Sequence, residues 1–222
     1  MAFSRKTAPE VVLEGDALTS AMAGIGMNFA VRATKNPNIE DVLLFASIEA
    51  MAESDLRVLA ILANWFGVHH AWVNADRLTK RLQHHEGERL RAFWSAIAQW
   101  KIEDRRFSSL AKLYAGPRID VLPTGADFQI RRHGEDRRFE TTCLRVPANL
   151  LRDRPADILS PRELAKRHRT YRWRVMMGPS YRADVWAALE GAPDISAADL
   201  ARRTYASFAT AWQAKRDFAI AS

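Results

Sequence analysis

The chain of 222 residues contains one cysteine, Cys143. A single thiol cannot close an intrachain disulfide, and without a CxxC pair or a Cys/His cluster at zinc spacing no structural zinc is expected. A cytoplasmic, reducing setting follows from that usage. Walker, GxGxxG, GxSxG and HExxH sequences are all absent, so neither a nucleotide cofactor nor a catalytic metal is expected and nothing points to an enzyme. The apolar runs are short and interrupted, and no apolar h-region follows Arg5 and Lys6; neither membrane insertion nor export is expected. Two histidine pairs stand out, His69-His70 and His84-His85. Adjacent helical residues point about 100° apart, so neither pair presents both rings to one metal, and both are read as surface or capping residues. Cys143 is read as a small buried residue in a strand.

What the chain does have is positive charge, 33 Lys/Arg against 26 Asp/Glu, a formal +7. Its distribution is uneven. Residues 1–100 carry 10 basic and 11 acidic side chains, residues 101–182 carry 19 and 10, and residues 183–222 carry 4 and 5. A concentrated basic segment suits phosphate neutralisation with counterion release, whereas scattered lysines serve solubility. A polyanionic partner is therefore expected. The 48% hydrophobic fraction places the chain in the ordinary globular range.

Along the chain, residues 1–38 show no clear period, and Gly24 and Gly26 weaken a helix over residues 21–32, which reads as an arm. Residues 39–116 read as a helical domain. Asn38 caps an apolar helix over residues 39–52, residues 55–66 form a second helix closed by Gly67, Asn74 caps a short third, and residues 86–100 form a fourth. In the last of these, Leu90, Phe93, Trp94, Ile97 and Trp100 recur at helical spacing, a stripe that faces a core. The last three suit a helix-turn-helix. Within residues 117–160 the period shortens to alternation in DFQIRR and RRFETTCLRV around His133-Gly134, which predicts a β-hairpin with Arg131, Arg132, Arg137 and Arg138 at its tip, placed like a displaced wing. Residues 161–222 begin with Ser160 as cap and Pro161 at the first helical position, opening a basic helix to Met177 that carries Arg169, Arg172 and Arg174 beside Tyr171 and Trp173. Such cations with interleaved aromatics suit either a phosphate backbone or a linker helix packed between domains.

The C-terminal 40 residues read helix, helix, turn, helix. Residues 181–191 (YRADVWAALEG) end at a glycine, Ser196 caps AADLARRT, and Ser207 caps FATAWQAKRDFAI after Tyr205-Ala206. Ala201 is the small residue needed where the last two helices cross, with Ala211 as its partner. Arg202, Arg203, Ser207, Thr210, Gln213, Lys215 and Arg216 are the polar groups available to phosphates and base edges in a major groove. Residues 73–82 (VNADRLTKRL) align with residues 195–204 (ISAADLARRT), which raises the prospect of a second, N-terminal unit of the same kind.

The stretch RWRVMMGPSYRADVWAALEGAPDISAADLARRTYASFATAWQAKRDF resembles the winged helix-turn-helix of bacterial regulators that accompany nucleotidyltransferases, including antitoxins of the abortive-infection type. The resemblance covers about a fifth of the chain, and Tyr205 stands where the turn often has glycine. It implies double-stranded DNA as a partner, a nucleotidyltransferase as a protein partner, and a homodimer as one assembly. The expected fold is mainly α with a small β-hairpin, in tandem helix-turn-helix or winged-helix-like units. The expected function is a DNA-binding transcriptional regulator, antitoxin-like, without cofactor or metal. The second reading of the same residues is a protein-binding adaptor built on helix-turn-helix domains, which gains from the near-neutral charge of residues 183–222.

Overall fold

Among the described residues, helices account for most of the chain and strands for four residues. The computed structural model describes residues 12–221; residues 1–11 of the expected arm lie outside the described residues. Two compact units divide the chain, Leu13–Pro161 and the segment from Arg162 onward.

In the first unit the helices are α1 (Gly15–Gly24), α2 (Ile39–Glu53), α3 (Leu56–His69), α4 (Ala75–Gln83), α5 (Glu88–Trp100) and α6 (Ala126–His133). The side chains expected to cap do so: Asn38 accepts from the Asp41 amide and Asn74 from that of Arg77; Asp55, read as the first residue of its helix, caps α3 by accepting from Arg57 and Val58. Helix α2 packs against α1, α3, α4 and α5, with Val42, Leu43, Leu44 and Ala46 buried. The stripe on α5 faces the core as expected, with Leu90, Phe93, Trp94 and Ile97 buried. The Trp94 indole donates to Ser47 of α2 at 2.9 Å, which satisfies its N–H away from water.

Several features differ from the sequence reading. Residues 15–24, expected to belong to an arm, form α1 and bury Leu18, Ala21 and Met22. Gly24 is there for space: a Cβ at this position would lie 2.4 Å from the Thr34 carbonyl oxygen. Gly67 does not close α3, which continues to His69; a Cβ there would meet the Trp100 ring at 2.9 Å. The hairpin does not form. Instead β1 (Ile119–Asp120) pairs in parallel with β2 (Leu144–Arg145), Ile119 opposite Leu144, and DFQIRR lies in α6 as the crossover. The apparent alternation there is not a strand face, since Phe128 is exposed, while Asp127 in the first turn and Arg131, Arg132 and His133 in the last complement a helix dipole.

The second unit contains α7 (Pro161–Arg167), α8 (Arg169–Met177), α9 (Tyr181–Gly191), α10 (Ala197–Thr204) and α11 (Phe208–Ala221). The single basic helix expected over residues 161–177 is broken in two. His168 leaves helical geometry and its Nδ1 accepts from the Tyr171 amide, capping α8. The chain is thus mainly helical with one small sheet.

Candidate nucleic-acid interface

Helices α9, α10 and α11 pack on one another around Val185, Leu189, Leu200, Ala206, Ala211 and Ala214. Ala201 packs against this cluster as its small size requires where two helices meet. Ser196 caps α10 reciprocally: its Oγ accepts from the Asp199 amide at 3.1 Å and donates to the Asp199 carboxylate at 2.6 Å. That hydrogen bond, with Arg202 and Arg203 nearby, holds the Asp199 carboxyl below its usual range. Between α10 and α11, Tyr205 adopts a left-handed backbone, φ +59°, where glycine would be free of Cβ strain. Ser207 then caps α11 through the Thr210 amide at 3.0 Å.

Helix α8 is tied to α9 by charge. Arg174 is 1% exposed and forms a two-pronged pair with buried Asp184, Nε at 2.7 Å and Nη2 at 2.8 Å. Glu190 accepts from Arg172 and, at 2.6 Å, from the Trp173 indole, while Arg169 approaches it at 4.0 Å. Those donors, Arg172 first, hold the Glu190 carboxyl low. The Trp173, Trp186 and Phe218 rings follow one another edge to face at 5.1 and 5.2 Å, linking α8, α9 and α11. Of the two roles open to this basic helix, packing against a neighbour accounts for Arg174 fully and for Arg172 in part.

The residues expected to meet DNA therefore separate. Arg174 is corrected out of the set, because its guanidinium is enclosed by Asp184 and cannot reach a phosphate. Arg138 is corrected likewise: it is bound to Asp136, Asn64 and the Leu151 carbonyl. Ser207 and Thr210 hydrogen-bond each other at 2.7 Å in the α11 cap. Lys215 donates to the Ile195 carbonyl and Arg202 to Asp199. Arg131 and Arg132 end α6 and Arg137 lies in the following turn, all three exposed but in the first unit. Of the expected residues, Arg202, Arg203, Gln213 and Arg216 are exposed on α10 and α11; Arg202 is paired with Asp199, and Arg216 touches Asp217 and lies 5.6 Å above the Trp212 ring.

Sequence reasoning missed two kinds of residue. Phe208 and Trp212 are 60% and 53% exposed on α11. The signal was present, since the alanines at 211 and 214 mark the buried face and residue 212 points about 100° away from residue 211. Arg162, Lys166 and Arg167 of α7, read in the sequence only as part of the basic helix, are exposed and among the described residues have no ion pair. Counting over residues 162–222, 11 basic against 6 acidic side chains leave this unit at +5. The parallel between residues 73–82 and 195–204 is confined to a capped helix. Helix α4 packs on α2, with Arg77 near Glu40 and Arg81 on Asp41 at 2.9 Å, whereas α10 packs on α11.

The histidines and the cysteine have structural surroundings. His69 is buried, its Nε2 3.0 Å from the Leu159 carbonyl, and burial lowers its pKa to about 4. It is thus not the surface or capping residue expected. The Cys143 thiol is half-buried and pushed above its ordinary value by desolvation, the opposite of what an activated nucleophile needs. No helix among the described residues is long and apolar enough to cross a membrane. Comparison with protein-family models, curated proteins and solved structures returns no match for this chain.

Proposed function

We propose that this protein is a non-enzymatic DNA-binding regulator of transcription that uses α9–α11 as a helix-turn-helix. The observation that supports this most is the arrangement of α10 and α11. A short capped helix, a left-handed turn residue and a longer helix pack around small residues, leaving Gln213 and Arg216 outward with Arg203 at the end of α10. A helix of this length, with one amide and one guanidinium outward, has the chemistry to read adenine or guanine edges in a major groove. The unit's +5 charge supplies the sequence-independent attraction. The resemblance to regulators that accompany nucleotidyltransferases, an antitoxin-like role and a cytoplasmic location belong to the same proposal.

The test is titration of duplex DNA at increasing salt, with sites selected from a random pool. Binding should weaken linearly on a log–log plot, and Gln213→Ala should cost about 1 to 3 kcal/mol on the preferred site with little change on random DNA. Arg203→Ala should weaken every sequence alike and reduce the salt slope by about 1. Affinity indifferent to salt overturns the proposal. The exposed Phe208 and Trp212 favour a second reading, in which α11 docks a partner protein. On that reading Trp212→Ala abolishes partner binding and leaves any DNA affinity intact.

A further inference from the structure

We propose that the first unit binds a small organic anion, one ring or a short acyl chain bearing a single carboxylate, in a cavity between α3 and residues 150–157. The cavity, open to solvent on one side, has a volume of about 210 Å³. That is below the roughly 300–1,000 Å³ of sites for drug-sized ligands, which limits the occupant to a small molecule. Leu56, Ala60 and Ile61, one stretch of α3, give it an apolar floor, and Leu150 faces them from the other wall.

Its rim is cationic. Arg57, Arg152 and Arg154 line the opening together with one carboxylate, Asp157. Among the described residues none of the three guanidiniums is ion-paired; Arg57 lies 5.8 Å over the Phe29 ring. Other arginines of this unit that lie beside acids are tied to them, as Arg81 is to Asp41, Arg118 to Glu135 and Arg145 to Asp120. Three guanidiniums against one carboxylate leave an excess of positive charge at the mouth of a concave apolar space, where low-dielectric walls concentrate the potential. A guanidinium matches a carboxylate through two parallel hydrogen bonds. Inorganic phosphate fits poorly, because oxygens turned toward Ala60 and Ile61 would lose their water without gaining a donor.

The walls are already fixed. Asn64 of α3 donates to the Arg152 carbonyl at 2.7 Å, the Asn28 amide donates to the Asp157 carbonyl at 2.7 Å, and Arg138 donates to the Leu151 carbonyl. Binding therefore needs no large ordering of the segment that carries Arg152 and Arg154, and little affinity is lost to reorganisation.

The experiment is calorimetric titration of the full chain with benzoate and hexanoate, with benzamide and inorganic phosphate as comparison arms. At least one of the two carboxylates should saturate at one per chain, and benzamide should bind at least about tenfold more weakly. Arg152→Gln and Arg154→Gln, both exposed positions, should each weaken binding by about tenfold with unchanged thermal unfolding. Ile61→Trp should fill the cavity and abolish it. Should Ile61→Trp fail to fold, the two arginine variants still decide. Absence of saturation by both carboxylates, phosphate binding as tightly as benzoate, or arginine variants that bind normally would each overturn the proposal.

Discussion

His69 offers the sharpest physical test of the fold. Its ring is fully enclosed, donates from Nε2 to the Leu159 carbonyl at 3.0 Å and packs 4.7 Å from the Trp65 ring. Burial lowers its pKa from 6.5 to about 4. The native state therefore resists the proton that the unfolded chain accepts, so the contribution to stability is complete above about pH 6.5 and declines as pH falls toward 4. The full gap is worth about 3 kcal/mol, and about 2 kcal/mol of it is lost by pH 5. The assay is urea unfolding of the wild type and of His69→Gln, which keeps an N–H for Leu159, at about pH 7.5 and pH 5. The wild type should lose about 2 kcal/mol more than the variant over that interval. Because two units need not unfold together, an NMR titration of the His69 ring provides the local check. A midpoint near 6.5, or parallel losses in both proteins, would refute the reasoning.

Other perturbations follow from the same structure. Arg174→Ala should destabilise the second unit by about 3 to 5 kcal/mol, since it strands the buried Asp184 carboxylate; thermal unfolding that shifts by less than about 1 kcal/mol would contradict the buried pair. Gly24→Ala drives a Cβ toward the Thr34 carbonyl and should cost about 1 to 3 kcal/mol by denaturant unfolding, against stabilisation from a plain gain in helix propensity. Cys143, with its thiol pushed up by burial, should react with a disulfide reagent at neutral pH more slowly than the same residue in unfolded protein, and equal rates would place it in water.

Legibility in the sequence followed the range of the interactions. The caps at Asn38, Asn74, Ser196 and Ser207 act over three residues, and each could be read locally together with the helix it starts. The three-helix order of residues 181–221 was legible for that reason. The segment after Arg118 was not, because four to six alternating residues fit a short exposed helix as well as a strand. Nor could the arginines be sorted. Arg138 meets Asn64 across 74 residues, and Arg174 meets Asp184 through a helix crossing; both count as free charge until the fold is known. His69 looked like a surface residue because its partner is a main-chain carbonyl 90 positions away.

Helix α3 carries a consequence for the birth of this chain. Three of its side chains depend on distant main chain: Asn64 on Arg152, Trp65 on Ile25 and His69 on Leu159. Until residue 159 exists, burying α3 leaves donors without acceptors, at about 1 to 3 kcal/mol each. At about 5 to 20 residues per second, the ribosome needs roughly 5 to 20 s to add the residues between His69 and Leu159. For that interval α3 can pack on α2 but lacks the acceptors of Asn64 and His69. The first unit thus completes the bonding of α3 only after residue 159 is made, and a nascent chain arrested before residue 152 should be retained by holdase chaperones longer than one arrested after residue 161.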